Sequence, residues 1–267
     1  MNILVSVKRV PETGGRVSLT ADARDIDTRY LGFTVSPHEE CATEEAVRLI
    51  EANGGSSTVL TLGPEAAADQ LRAAMAIGID RAILLQTDGQ DWDPVSTAAA
   101  IVDAIRAEAA AGVTYDLLLF GNEAADSGDF QVGIRVALAL GLPCISGVKS
   151  LEVKDGVATA RRESGGGWEV FEVPLPALVA VREGINLPRY PSVPGRLRAK
   201  KKEIETTVLA PPGVGAGSAS AAGLAGPDKI RLRLPAETEG RVEILGSGAE
   251  AAPAVVDVLV RIGVLAG

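Results

Sequence analysis

The chain has 267 residues, of which 46% are hydrophobic, 23% are charged and only 3% are aromatic. This composition allows one large folded domain, or one domain with an appendage, that buries a sizeable core. The formal net charge of −9 disfavours nucleic acid and anionic membrane surfaces as partners. No apolar run approaches the roughly 20 residues of a membrane span, so we expect no membrane insertion.

Cysteine and histidine are scarce, with only Cys41, Cys144 and His38 in the sequence. The two cysteines have no metal-binding spacing, and buried thiols in a reduced cytoplasm are the expectation for both. A single histidine argues against a histidine-based metal site and against a Ser-His-Asp triad. We therefore predict no metal site and no catalytic side chain.

Short apolar runs alternate with longer helical patterns along most of the chain. The runs predict buried parallel strands at Ile3–Val7, Thr58–Leu62, Ala82–Leu85, Leu117–Phe120 and Leu178–Val181. The patterns between them predict helices at Glu39–Ala52, Ala66–Ile77, Pro94–Ala111 and Gln131–Leu140. Asp93 is a good N-cap for the third of these helices, and Pro94 occupies the first helical position after it. The alternation predicts an α/β fold with an open, mostly parallel sheet flanked by helices.

Residues 147–173 interrupt this alternation. Val148–Val153 and Val157–Arg161 flank Lys154-Asp155-Gly156, which carries an Asp-Gly hairpin signal. Trp168–Val173 is suited to pair as a third antiparallel strand. The pattern predicts an antiparallel meander inserted before the last parallel strand.

The C-terminal part of the chain differs in composition from the rest. Residues 210–227 are Ala, Gly, Ser and Pro almost throughout, which predicts a flexible linker over 210–229. Beyond it, Ile230–Leu234 and Arg241–Leu245 are strand-like, and Pro253–Val264 has a short apolar helix pattern. This tail is too small for a stable domain of its own. We therefore expect a domain over residues 1–209 and an arm over 230–267 that packs on this domain or on another chain.

The segment after Phe120 is the richest candidate binding site. Ligands of open α/β sheets bind beyond the carboxyl ends of the strands, near the point where the strand order reverses. Residues 121–133 lead from a predicted strand into a predicted helix and contain many small residues. Small residues allow close approach of a ligand to the backbone, and free N–H groups at a helix start favour a phosphate. Residues alone leave two interpretations open: a nucleotide site or an ordinary loop with capping residues.

A proline-rich and then basic stretch spans residues 186–202. Pro188, Pro191 and Pro194 precede the run Lys200-Lys201-Lys202. Proline fixes φ and donates no hydrogen bond, so we expect an exposed, partly stiffened loop and no central strand or helix interior. The loop is either a partner contact or a connector to the tail.

Residues 185–205 read INLPRYPSVPGRLRAKKKEIE. This stretch resembles the LNxPRYPSLPxIMKAKKKxIE pattern of the beta subunits of electron transfer flavoproteins. In that family the region is the recognition loop, and residues 186–202 carry this name below. The resemblance extends through four further segments and covers about residues 1–205. These segments are Val5–Pro11, Glu44–Leu49, Leu62–Pro64 and Ala76–Ala82. The resemblance implies a Rossmann-like, adenine-nucleotide-binding fold.

Residues 121–133 are similar to the family's GKQAIDDDxNQTGQ loop, which wraps an AMP. Asn122 and Glu123 replace a Lys and a Gln, Phe130 stands in place of an Asn, and Val132 replaces a Thr. The Gln-Val-Gly triplet resembles the bifurcating branch of the family, in which a second FAD occupies this site. The identity of the nucleotide in this site, AMP or a second FAD, therefore stays open. The resemblance predicts these cofactor-binding residues: Ser6, Ser36, Pro37, His38, Glu39, Leu62, Gly121, Asn122, Glu123, Ala124, Asp126, Gly128, Asp129, Phe130, Gln131 and Val132.

The resemblance also implies partners. The chain would pair with an alpha subunit that carries most of the FAD contacts and receives the C-terminal arm. It would pass electrons from flavoprotein dehydrogenases, of the acyl-CoA dehydrogenase type, to a quinone reductase. The partner-binding residues implied by the family pattern are Arg189, Tyr190, Val193, Arg198, Lys200 and Lys201. Within the chain itself, packing is the expectation for the rings of Tyr190 and Trp168.

Two alternatives remain open beside this interpretation. The first is an electron-bifurcating complex with FAD in both sites. The second is a stand-alone nucleotide-binding module of the same α/β type.

Overall fold

The structure is a computed structural model that describes residues 1–12, 14, 17–211, 229–236 and 242–265. It divides into one compact unit over Met1–Arg231 and a second over Leu232–Gly267. Residues 212–228, most of the predicted linker, lie outside the described residues. Within the described part of the chain, no helix is both long and apolar enough to cross a membrane.

Strands and helices alternate through the first unit, and a last helix lies in the second. The strands found in the described ranges are β1 (Asn2–Val7), β2 (Val10–Pro11), β3 (Phe33–Thr34), β4 (Ser56–Gly63), β5 (Arg81–Gln86), β6 (Leu117–Gly121), β7 (Cys144–Lys154), β8 (Val157–Ser164), β9 (Gly167–Pro174), β10 (Ala177–Val181) and β11 (Glu205–Val208). The α-helices are α1 (Pro37–Asn53), α2 (Ala68–Ile77), α3 (Pro94–Ala110), α4 (Val132–Leu140), α5 (Val193–Lys201) and α6 (Ala252–Arg261).

The main sheet has the order β11-β5-β4-β1-β6-β10-β7-β8-β9, and β2 pairs with β3 in a small antiparallel sheet. Pairing is parallel from β11 to β7 and antiparallel from β7 to β9. The predicted α/β class, the mostly parallel sheet and the flanking helices are confirmed.

Alternate side chains of β1 enter two separate cores. Ile3, Val5 and Val7 pack in the cluster that includes residues of α1 and α2, whereas Leu4 packs in the cluster formed with α3 and α4. Each fully buried aliphatic side chain of this kind contributes about 1.5–3 kcal/mol. Helices on both faces explain why the parallel strands read as continuous apolar runs.

Local signals at the predicted α3 and at the hairpin are confirmed. Asp93 Oδ1 accepts hydrogen bonds from the N–H groups of Val95 and Ser96, at 2.8 and 3.0 Å, at the start of α3. Asp155 and Gly156 have φ values of 50° and 77° and join β7 to β8, which suits a type I′ turn.

The predicted meander is confirmed as β7, β8 and β9, which precede β10 in the chain, but β10 is not the last parallel strand. β7 itself pairs in parallel with β10, and β11 adds a later parallel strand beside β5 at the far edge of the sheet. All four residues of β11 are exposed, and three of them are polar, so the strand has no apolar run to reveal it.

The recognition loop is not a loop throughout, because Val193–Lys201 forms α5. Ser192 caps this helix by accepting from the N–H of Gly195, and Pro194 lies in the first turn. Proline is tolerated there, since first-turn N–H groups have no helical partner. Pro194 therefore marks the helix start, and the prediction of a loop is wrong over Val193–Lys201.

Some burial and strand predictions are wrong. Cys144 is exposed, and the Tyr190 and Trp168 side chains are 94% and 57% exposed, so neither aromatic ring is packed within the chain. Residues 230–234 and 242–245 form no strand, and no ladder partner for them lies in the described ranges; Arg241 is outside those ranges.

Candidate functional site

The strand order reverses between β1 and β6. The chain builds β1, β4 and β5 in one direction and then β6 and β10 in the other. In the register of the pair, Ser6 lies beside Phe120, so the carboxyl ends of both strands meet at one edge. On the other side of β1, Val7 lies beside Thr61, which places Leu62 next to this edge. Ligands of open α/β sheets bind at this position.

The start of α1 closes one side of this crevice. Ser36 and Glu39 form a capping box: the Glu39 N–H donates to Ser36 Oγ, and the Ser36 N–H donates to Glu39 Oε2 at 3.1 Å. Glu39 Oε1 also accepts from the N–H of Lys8, at 2.9 Å. Burial raises the pKa of Glu39 to about 8, although these hydrogen bonds act in the opposite direction. One carboxyl group thus joins the ends of α1 and β1.

Gly121 is needed where β6 passes α1. A Cβ atom at this position would lie 2.6 Å from Glu39 Cγ and 3.4 Å from the Cβ of His38. A side chain here would displace the Glu39 carboxyl from its hydrogen bonds. Glycine therefore allows the crevice loop to begin directly against the capping box.

Loop 122–131 is tied to the surrounding strands. Lys8 Nζ lies 2.7 Å from Asp126 Oδ2, an ion pair across the crevice. Asn122 Oδ1 accepts from the N–H of Gly147 at 2.7 Å, which joins the loop to β7. Within the loop, the Ala124 N–H donates to Asp129 O at 3.0 Å. The Asn122 side chain is therefore used to hold the loop.

The loop ends at the uncapped start of α4. Gln131 occupies the N-cap position, and its side chain makes no capping hydrogen bond. It accepts instead from the Arg135 guanidinium, at 2.8 and 3.1 Å, and donates to Asp129 Oδ1 at 3.0 Å. The Phe130 side chain is 52% exposed. The first-turn N–H groups of α4 are therefore left without a side-chain cap.

His38 connects two of the segments that surround the crevice. Its Nδ1 accepts from the N–H of Glu183 at 2.8 Å, which assigns the proton to Nε2 in the neutral ring. Nε2 lies 3.4 Å from Glu123 Oε1. The ring thus joins the start of α1 to the crevice loop and to the segment that follows β10.

The remaining predicted residues belong to the recognition loop. Tyr190 and Val193 are exposed, at 94% and 72%, and Arg198, Lys200 and Lys201 are exposed on α5. The Arg189 guanidinium instead lies against Glu44 and Glu51 of α1. The structure thus groups the predicted cofactor-binding residues at one edge of the sheet and the predicted partner-binding residues in a separate segment.

Some residues with a place in this geometry escaped prediction as site residues. The backbone and side chain of Lys8 join Glu39 and Asp126, and its position after β1 was the available signal. Glu44 is buried in α1 and pairs with a residue 145 positions later, for which helical spacing gives no signal.

Comparisons with known proteins identify the family of this chain. Residues 25–212 match the electron transfer flavoprotein domain family. The electron transfer flavoprotein subunit beta of Bacillus subtilis is 36% identical over 212 residues, covering 78% of this chain and 79% of that protein. The protein of the same name from Syntrophomonas wolfei is 36% identical, covering 79% and 81%. The one from Mycobacterium leprae is 34% identical over 245 residues, covering 90% and 91%. With a family match over most of its length, this chain belongs to the electron transfer flavoprotein family.

Proposed function

We propose that this chain is the beta subunit of a heterodimeric electron transfer flavoprotein and holds an adenine nucleotide between β1 and β6. The observation that carries the nucleotide assignment is the uncapped start of α4 at the strand-order reversal. Its N–H groups face the crevice end of the sheet, where a phosphate would satisfy them. The similarity to proteins named subunit beta supports the pairing with an alpha subunit.

The residues present fit a nucleotide held mainly by the backbone. Lys8 and Arg135, cations at this site, are already bound by Asp126 and Gln131. Gly128 has a φ of 67°, which glycine adopts without strain, and nothing lies within 4 Å of a Cβ placed there. Backbone N–H groups and small residues therefore supply the phosphate contacts in this proposal. AMP is the proposed occupant, and a second FAD, as in a bifurcating complex, is the alternative.

FAD, shared with the alpha subunit, supplies the redox chemistry when bound. The residues of this chain bind and position. Glu39, Lys8 and Asp126 join β1, α1 and the crevice loop through hydrogen bonds and an ion pair. No side chain of this chain is proposed to act as an acid, a base or a nucleophile.

The exposed apolar side chains of the C-terminal arm are an argument for a partner subunit. α6 has no buried residue, and it presents apolar side chains that include Val255, Val256 and Val260. A helix with an exposed apolar face is stabilised when another surface covers that face. We propose that this arm, residues 230–267, packs on the alpha subunit, and that residues 210–229 are the linker between the arm and the first domain.

The recognition loop is the proposed contact for flavoprotein dehydrogenases of the acyl-CoA dehydrogenase type. Tyr190 and Val193 offer apolar contact, and Arg198, Lys200 and Lys201 offer positive charge. A quinone reductase downstream is the proposed acceptor, and with acyl-CoA dehydrogenases as donors the complex would serve fatty acid β-oxidation. A cytoplasmic location also belongs to the proposal, since Cys41 and Cys144 are free thiols.

The test is to purify the chain together with its alpha subunit and to identify what denaturation releases. We expect one FAD and one AMP per heterodimer by absorbance and mass spectrometry. Two FAD molecules would support the bifurcating alternative. A monodisperse monomer without nucleotide would refute the proposal and favour a stand-alone module.

A matched pair of variants tests where the phosphate binds. Val132→Asp places a negative charge in the first turn of α4, where it stabilises the helix but repels a phosphate. Val132→Asn has nearly the same shape without the charge. We expect Val132→Asp to lose most of the AMP and Val132→Asn to keep it. Equal AMP content in the two variants would place the phosphate elsewhere.

A further inference from the structure

The recognition loop begins with an ion-pair cluster that ties it to α1. From this cluster we infer that Arg189 is a positioning residue, which sets the conformation of the loop for docking and does not itself contact the dehydrogenase. The inference rests on the proposed docking role of the loop, and it assigns Arg189 a different task from the exposed cations of α5.

Arg189 is bound by two carboxylates on one face of α1. Its Nε lies 2.9 Å from Glu44 Oε2, and its Nη2 lies 2.9 Å from Glu44 Oε1. Its Nη1 lies 2.6 Å from Glu51 Oε1, and its backbone N–H donates to Glu44 Oε2 at 3.1 Å. Glu44 and Glu51 are seven residues apart, which puts them two turns apart on the same face. The guanidinium therefore lies along the helix, with all three nitrogens engaged.

The burial of Glu44 holds this arrangement in place. Its side chain is only 5% exposed, whereas that of Glu51 is 58% exposed. A buried carboxylate that loses its partner becomes an uncompensated charge. The hydrogen bonds that Arg189 donates to Glu51 and Glu44 also raise the pKa of Arg189, so the guanidinium stays charged. Release of Arg189 toward a partner protein would leave Glu44 unpaired, so the guanidinium is committed to α1.

Asn186, three residues before Arg189, also attaches the loop to α1. Its Nδ2 donates to Cys41 O at 2.9 Å and to Glu45 Oε2 at 2.8 Å. The first four residues of the loop are thus attached to α1 at two points.

The far end of the loop is held by α2 and its C-terminal turn. A Cβ at Gly195 would lie 2.3 Å from Ala76 O, so α5 packs directly on the α2 backbone. Lys202 Nζ donates to Ile79 O at 2.8 Å.

Between these two anchors, the loop presents its apolar side chains outward. Leu187, Tyr190 and Val193 are 91%, 94% and 72% exposed. A segment fixed at both ends loses less conformational freedom on binding than a free one, which strengthens docking without any added contact. The ion pairs of Arg189 with Glu44 and Glu51 (the clamp) are the part of this arrangement that a single substitution removes.

The experiment uses the flavin-loaded heterodimer, with an acyl-CoA dehydrogenase and its acyl-CoA as electron donor. The variants are Arg189→Gln, Glu44→Gln, the double variant, and Arg189→Lys. Arg81→Gln is the matched control, because Arg81 also bridges two carboxylates, of Glu108 and Glu205. Hydrogen–deuterium exchange over residues 186–193, without dehydrogenase, reports loop order independently of electron transfer.

We expect Arg189→Gln and Glu44→Gln to raise the KM for the dehydrogenase about five- to tenfold, with kcat and flavin content unchanged. The double variant should be little worse than Arg189→Gln, since that substitution already removes the ion pair with Glu44. Arg189→Lys should be intermediate, because an ammonium cannot bind two carboxylates as a guanidinium does. Amide exchange should rise in the same order, and Arg81→Gln should change neither readout of the loop.

Two results would overturn the inference. An increased KM without faster amide exchange would mean that Arg189 contacts the dehydrogenase directly. Faster exchange with an unchanged KM would mean that loop order does not govern docking. If the wild-type complex accepts no electrons, the proposed function fails, and unchanged exchange in Arg189→Gln would then separately refute the clamp.

Discussion

Glu39 should make the folded protein lose stability as the pH rises, and Glu39→Gln should remove that loss. Its carboxyl group is enclosed by β1, the start of α1 and Gly121, and burial raises its pKa from 4.5 to about 8. Between these values the folded state keeps a proton that the unfolded state has released. The free energy of unfolding therefore falls as the pH rises through this window. The difference of about 3.5 units, at 1.36 kcal/mol per unit, corresponds to about 5 kcal/mol.

The assay is urea unfolding followed by circular dichroism at pH 5, 6.5 and 8, for the wild type and Glu39→Gln. The difference between the two proteins isolates the contribution of this carboxyl group from every other titration. Glu152→Gln, at an exposed position of β7, is the control and should leave the pH dependence unchanged. The reasoning would be refuted if the free energy of unfolding of the wild type rose relative to that of Glu39→Gln as the pH rises. Its two N–H donors, from Lys8 and Ser36, would then outweigh burial and keep Glu39 ionised.

Three further substitutions test the packing around the site. Gly121→Ala should cost about 1–3 kcal/mol by chemical denaturation, because its Cβ would meet Glu39 Cγ at 2.6 Å; full stability would contradict the close approach. Gly195→Ala should push α5 away from Ala76 O and speed amide exchange over residues 193–201, whereas unchanged exchange would show that α5 does not depend on this contact. Asp93→Ala removes the N-cap of α3 and should cost about 1 kcal/mol, measured as a lower Tm; an unchanged Tm would show that the cap contributes nothing.

The fold follows from patterns that are local in the sequence. Strands such as β1 and β6 are apolar throughout because helices cover both faces of the sheet, and this produces a readable signal. β11 produces none, since it is an edge strand with every residue exposed. The three prolines predict an exposed loop, yet α5 forms there, because Pro194 occupies the first turn, where no N–H is needed.

The candidate site shows a similar division. The place of the crevice could be predicted, because the ends of parallel strands and the start of a helix leave marks in the sequence. The contacts that shape it could not, since Lys8 meets Asp126 across 118 positions and Glu44 meets Arg189 across 145. Such pairs depend on the register of distant elements, for which helical or strand periodicity carries no information.

The position of the recognition loop between two strands of one sheet has a consequence for proteolysis. β10 lies near the middle of the sheet and β11 at its edge, so the chain crosses β6, β1, β4 and β5 between them. A protease that cleaves after Arg189 would therefore release no fragment under native conditions. Both halves would remain in the same hydrogen-bonded sheet, and the nick would become visible only after denaturation.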